Sequence, residues 1–119
     1  MDLSQLAGVR WALPNASVTS RRTLQRVFQT SEMPAPDVAL ESNSTQMLLA
    51  AVACSDMVGY LPTGALRAFG ATREFALLDV PALHIERSLG VISRPSAYLP
   101  PVAARLMKAL RKVAPQSVE

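Results

Sequence analysis

The feature that most constrains the fold is a pattern that occurs twice in the first half of the chain: a short apolar run, a turn of small polar residues, then an amphipathic helix. Arg10–Leu13 reads as a strand, stopped by Pro14 and followed by the polar loop of residues 15–20. Over residues 20–30, Leu24, Val27 and Phe28 fall at i, i+3 and i+4, and Arg21, Arg22, Gln25 and Arg26 occupy the other face. Ser20 or Thr19 is the expected cap of this helix. Pro34 and Pro36 then bias the residues before them toward extended backbone, and Val38, Ala39 and Leu40 make a second strand. It runs into Glu41, Ser42, Asn43, Ser44 and Thr45, which open a second helix with Met47, Leu48, Ala51 and Val52 on one face. Strands joined by helices pair in parallel, so the pattern predicts an α/β fold, a mostly parallel sheet flanked by helices.

The second half is read with the same rules. A third strand is expected over residues 57–61, closed by Pro62, Thr63 and Gly64, with a short helix over 65–69 ended by Gly70. Apolar runs predict two more strands over 74–80 and 86–93. Leu99, Pro100 and Pro101 introduce a last helix that carries Val102, Leu106, Ala109, Leu110 and Val113 at helical spacing. Arg105, Lys108, Arg111 and Lys112 lie off that stripe. No repeat, low-complexity segment or linker divides the chain, so residues 1–119 are read as one domain.

Composition narrows the function classes. Half of the residues are hydrophobic and 18% are charged, which a disordered segment does not show. The net charge is +3, but the cations are scattered and the aromatic residues few, which argues against direct nucleic-acid contact. One cysteine excludes an internal disulfide, and one histidine leaves no Cys/His set for a metal. The five glycines at positions 8, 59, 64, 70 and 90 form no phosphate loop, and no cofactor is expected. With neither a signal peptide nor an apolar stretch of spanning length, a soluble, cytoplasmic chain without membrane contact is expected.

Ligands of open α/β sheets sit beyond the carboxyl ends of the strands. Residues 15–20 and 42–45 follow the first two strands and offer hydroxyls and backbone N–H groups at a helix start, an arrangement suited to an anion. Each loop taken singly is better read as a plain helix cap, and two of them in register shift the balance modestly toward a site. Catalytic pairings are weaker: Cys54 with His84, Glu41 with Asp56, and Asp79 with Glu86 follow no recognisable spacing. Cys54 reads as a small buried hydrophobe, His84 as a surface residue, and Met47 and Met107 as core filling.

Several segments in order carry a family resemblance: Leu3-Ser4-Gln5-Leu6-Ala7, Arg10-Trp11-Ala12-Leu13, residues 38–44, the helix to Val52, Val58-Gly59-Tyr60-Leu61-Pro62, residues 88–94, and the helix after Leu99-Pro100-Pro101. Together they resemble the C-terminal part, the second lobe, of the effector-binding domain of LysR-type transcriptional regulators. One departure is Cys54-Ser55-Asp56-Met57, which stands where the family usually has a glycine-rich turn. The resemblance implies a Rossmann-like lobe of a type 2 periplasmic-binding-protein-like domain, without enzymatic activity. It further implies a small, anionic, carboxylate-bearing effector held between two lobes. Ser42, Asn43, Ser44, Asn15 and Ser17 would face it, with Gly59 near the cleft floor.

By the same resemblance, DNA is reached only through an N-terminal domain absent here; Met1 is either a natural start or a cut in a longer protein, and the abrupt entry at a lobe hinge favours the cut. The last helix would then lack its usual partner, leaving Val102, Leu106, Leu110 and Val113 to fold back or to drive self-association. The main alternative is a lobe of a solute-binding transport protein of the same fold. A small α/β enzyme using Cys54 or a carboxylate pair is the third.

Overall fold

The computed structural model describes residues 1–68, 75–88, 90–96 and 98–114. It divides into two compact units, Met1–Ile85 and Glu86–Glu119. The first holds a three-stranded sheet in the order β2-β1-β3, built from β1 (Arg10–Leu13), β2 (Asp37–Glu41) and β3 (Val58–Gly59). Both pairings are parallel, as the strand–helix alternation predicts. Helices α1 (Thr19–Thr30) and α2 (Thr45–Ala53) make the two crossovers, and α3 (Thr63–Ala68) follows β3.

The central strand explains the packing. Trp11, Ala12 and Leu13 are all buried, as expected of a strand covered on both faces. Trp11 and Leu13 point to the side where Leu24 and Phe28 of α1 meet Leu3, Leu6, Val80 and Leu83 in one cluster. The Trp11 and Phe28 rings meet edge to face, 5.9 Å between centroids. On α2 the buried positions are Leu48 and Leu49. β2 is an edge strand whose exposed residues Asp37, Ala39 and Glu41 alternate with half-buried Val38 and Leu40. Its register slips by one residue opposite Trp11 and Ala12, a bulge that leaves Ala39 unpaired.

Several sequence expectations are corrected. Residues 75–80 form no strand, nor do the described residues of 86–93. Glu74 and Leu89 lie outside the described residues, as do Phe69 and Gly70 at the end of the expected short helix. In their place the chain makes a 3₁₀ turn at Pro81–Leu83, and Val80 and Leu83 alone of that stretch enter the core. Val18, not Ser20 or Thr19, stands at the cap of α1, with no side-chain cap bond. Met47 is exposed and Met107 half-buried, so neither is a core filler; Leu49 takes the buried position on α2. Cys54 is exposed at the end of α2. Arg21, read as part of a solvated face, is buried.

The second unit contains α4 (Pro101–Val113), started by proline at its first turn and ended by Arg111 and Lys112. Val102, Leu106, Leu110 and Val113 of its apolar stripe are all exposed.

A 3₁₀ turn at Leu3–Leu6 opens the chain, capped reciprocally by Asp2 and Gln5. The Ser4 backbone N–H and hydroxyl both donate to the Asp2 carboxylate at 2.9 Å and hold its pKa below the ordinary value. A lowered folded-state pKa contributes stability above the ordinary Asp range and loses it as pH falls through the lowered value. Asp2→Asn is therefore expected to unfold with a weaker acid dependence than the parent between pH 5 and 2, which circular dichroism against pH measures.

Candidate functional site

The two crossovers run from β1 outward to β2 and then back past β1 to β3. This order places a topological switch point between β1 and β3, and open α/β sheets hold their ligands beyond the carboxyl ends of the strands near such a point. The loop after β1 begins at Pro14 and carries Asn15 and Ser17, and the loop after β2 carries Ser42, Asn43 and Ser44.

These loops are tied together. The Asn15 backbone N–H donates to Asn43 Oδ1 at 3.0 Å, and the Ser42 N–H donates to the Leu13 carbonyl at 3.1 Å. Asn15 Oδ1 accepts the Ser17 N–H at 3.0 Å, and its Nδ2 donates to Glu41 Oε1 at 3.3 Å. Ser44 caps α2 by accepting the Met47 N–H at 3.3 Å, while its own N–H donates to Ser42 Oγ at 3.1 Å. The N–H groups of Thr45 and Gln46 in the first turn have no hydrogen-bond partner among the described residues. They add the positive end of the helix dipole to the site.

Five of the six residues expected to face a ligand thus form one surface. Asn15, Ser17, Asn43 and Ser44 are exposed on it, and Ser42 is half-buried. Gly59 sits apart from the hydroxyl groups, in β3 opposite Ala12. A Cβ there would lie 3.2 Å from Val52 Cγ2, so the glycine lets α2 approach the sheet. Gly59→Val is expected to cost about 1–3 kcal/mol through overpacking, read as a lowered urea midpoint with an unchanged m-value.

Two charged groups at this end were not legible as a pair. Arg21, in the first turn of α1, reaches back so that its Nη1 donates to the Pro14 carbonyl at 3.3 Å and lies 3.9 Å from Glu41 Oε2. Its Nε is buried, with no partner among the described residues. The missed signal is its place one turn after the loop, since a long side chain on a helix points toward the N-terminus.

The catalytic pairings do not assemble. Glu41 is held by Asn15 at the carboxyl end of the sheet, whereas Asp56 faces Arg10, at the opening end of β1, at 3.9 Å. Asp79 pairs with His84 at 2.9 Å, both well exposed, and Cys54 is an exposed helix end. Among the described residues no three or more of His, Cys, Asp and Glu are grouped to hold a metal ion. No helix of the described residues is long and apolar enough to cross a membrane.

A parallel sheet with polar loops joined beyond its strand ends defines an α/β ligand-binding domain. The family described as LysR substrate binding domain matches residues 1–115, and the chain belongs to that family. It is the effector-binding type of domain found in LysR-type transcriptional regulators, with a periplasmic-binding-protein-like α/β fold. The searches of curated proteins and of solved structures gave no match.

Proposed function

We propose that this chain senses a small anionic metabolite, bound beyond the carboxyl ends of β1 and β2 by Asn15, Ser17, Ser42, Asn43 and Ser44, with Gly59 set apart in β3 as a packing position rather than a ligand contact. The observation that carries this reading is the direct bond from Asn15 to Asn43, which makes two separate loops one polar surface beside the first turn of α2. Such a surface suits a carboxylate, because neutral donors and a helix N-terminus orient it. The chain is in this reading the second lobe of the effector domain, works in the cytoplasm, and passes the signal to DNA-binding domains outside these residues. Self-association belongs to the same reading, with the exposed apolar stripe of α4 as the surface that a second copy covers.

A thermal-shift screen over a panel of small mono- and dicarboxylic acids tests the proposal. At a hundredfold excess over Kd, a bound effector stabilises by about 2.7 kcal/mol. Stabilisation by one acid class, abolished when the carboxylate is amidated, supports it. A panel without effect, or equal stabilisation by the amides, contradicts it.

A further inference from the structure

Arg21 is unusual in being a buried cation with little to hold it. Its side chain is 9% exposed. A guanidinium carries five N–H donors, and burial without acceptors for them is costly. Among the described residues a single hydrogen bond reaches it, to the Pro14 carbonyl, at 3.3 Å. Glu41, the nearest carboxylate, lies at 3.9 Å, well beyond the roughly 2.7–2.9 Å of a charge-assisted hydrogen bond. Nε has no partner among the described residues.

Glu41 is held as loosely. Its side chain is 48% exposed, and its one described hydrogen bond is the 3.3 Å contact from Asn15 Nδ2. It ends an edge strand, and turning out into water costs it little. The carboxylate therefore neutralises the cation from a distance without satisfying it, at the very residue, Asn15, that links the two loops.

We propose that Arg21 is the charged anchor of the effector site and that Glu41 is its built-in competitor, so that a carboxylate effector binds by displacing Glu41 from opposite the guanidinium. This rests on the effector-site reading above and adds to it the cation and the exchange. A planar carboxylate offers two oxygens for the guanidinium fork, which the distant Glu41 does not supply. Departure of Glu41 also releases the Asn15 side-chain amide, which can then donate to the same ligand. Binding at Arg21 is in this way coupled to the Asn15–Asn43 tie between the loops.

The test follows the Arg21 Nε–Hε signal in proton–nitrogen spectra of the 119-residue chain, titrated with succinate at constant ionic strength, with chloride as control. The signal is identified by its loss in Arg21→Lys. It is expected to shift and saturate with succinate and not with chloride. Glu41→Gln, an exposed and structurally mild change, is expected to tighten succinate binding on the order of tenfold. Arg21→Gln is expected to abolish it, and Arg21→Lys to retain a weaker response at the Asn43 amide.

Unchanged or weaker binding in Glu41→Gln, with the Asn43 and Thr45 amides still shifting, overturns the exchange and leaves the site itself standing. Absence of any succinate response at Arg21 overturns the anchor. The site reading fails separately, when the wider acid panel gives no stabilisation.

Discussion

Trp11→Ala is expected to destabilise the first unit by about 3–5 kcal/mol, and Phe28→Ala by a similar amount. Both rings are almost fully buried, and each is the other's edge-to-face partner. Truncating either opens a cavity at the junction of β1 and α1, where Leu24, Val80 and Leu83 also converge. A domain of this size has roughly 5–15 kcal/mol in total, so either variant spends much of its stability. Trp11→Phe is the informative contrast. The buried indole Nε1 has no partner among the described residues, so replacing Trp by Phe is expected to remove no hydrogen bond and to cost only part of the packing. Urea unfolding of the three variants measures this; a Trp11→Phe cost equal to that of Trp11→Ala would place a hydrogen bond on the indole.

The second large effect is on binding. Asn43→Ala is expected to weaken effector binding on the order of tenfold or more while lowering stability by only about 1 kcal/mol. The side chain is exposed, so its removal leaves no cavity. What is lost is the acceptor for the Asn15 N–H, and with it the fixed relation of the two loops. Titration calorimetry with an acid found in the thermal-shift screen, beside urea unfolding of the same variant, separates the two quantities. Comparable losses in both would make Asn43 a structural residue.

Much of the site-bearing half was legible in the sequence. The spacing of Leu24 and Phe28 and the polar run before Thr45 each report a local geometry, and local geometry survives folding. Ser44 is recognisable because a hydroxyl one residue before a helix has a specific bond to make. What the sequence does not carry is the choice between similar residues that only tertiary packing makes. Leu49 and Met47 are both apolar on α2, and one is buried while the other is not. Arg21 and Arg22 are neighbours of identical chemistry, and only the first turns back under the loop to Pro14.

The apolar runs beyond residue 74 show the same limit. β-propensity describes fitness for a half-buried pleated surface, and a strand needs a neighbour to pair with. Leu77 and Leu78 stay exposed beside buried Val80, and Pro81 turns the chain into a 3₁₀ turn. Hydrophobicity alone therefore overstated the number of strands. The polar character of the loops that carry Asn15 and Asn43 is legible in the sequence, but the Arg21–Glu41 pair is not, since it arises from a crossover that brings α1 and the end of β2 together.

The most direct test of an anion-sensing site is a backbone amide shift map of the 119-residue chain, recorded with the stabilising acid against its amide. Shifts centred on residues 15–17 and 42–46 are the predicted result. Shifts centred instead at the opposite end of the sheet, around the cavity of about 430 Å³ lined by Leu3, Met33 and Val80, would contradict it.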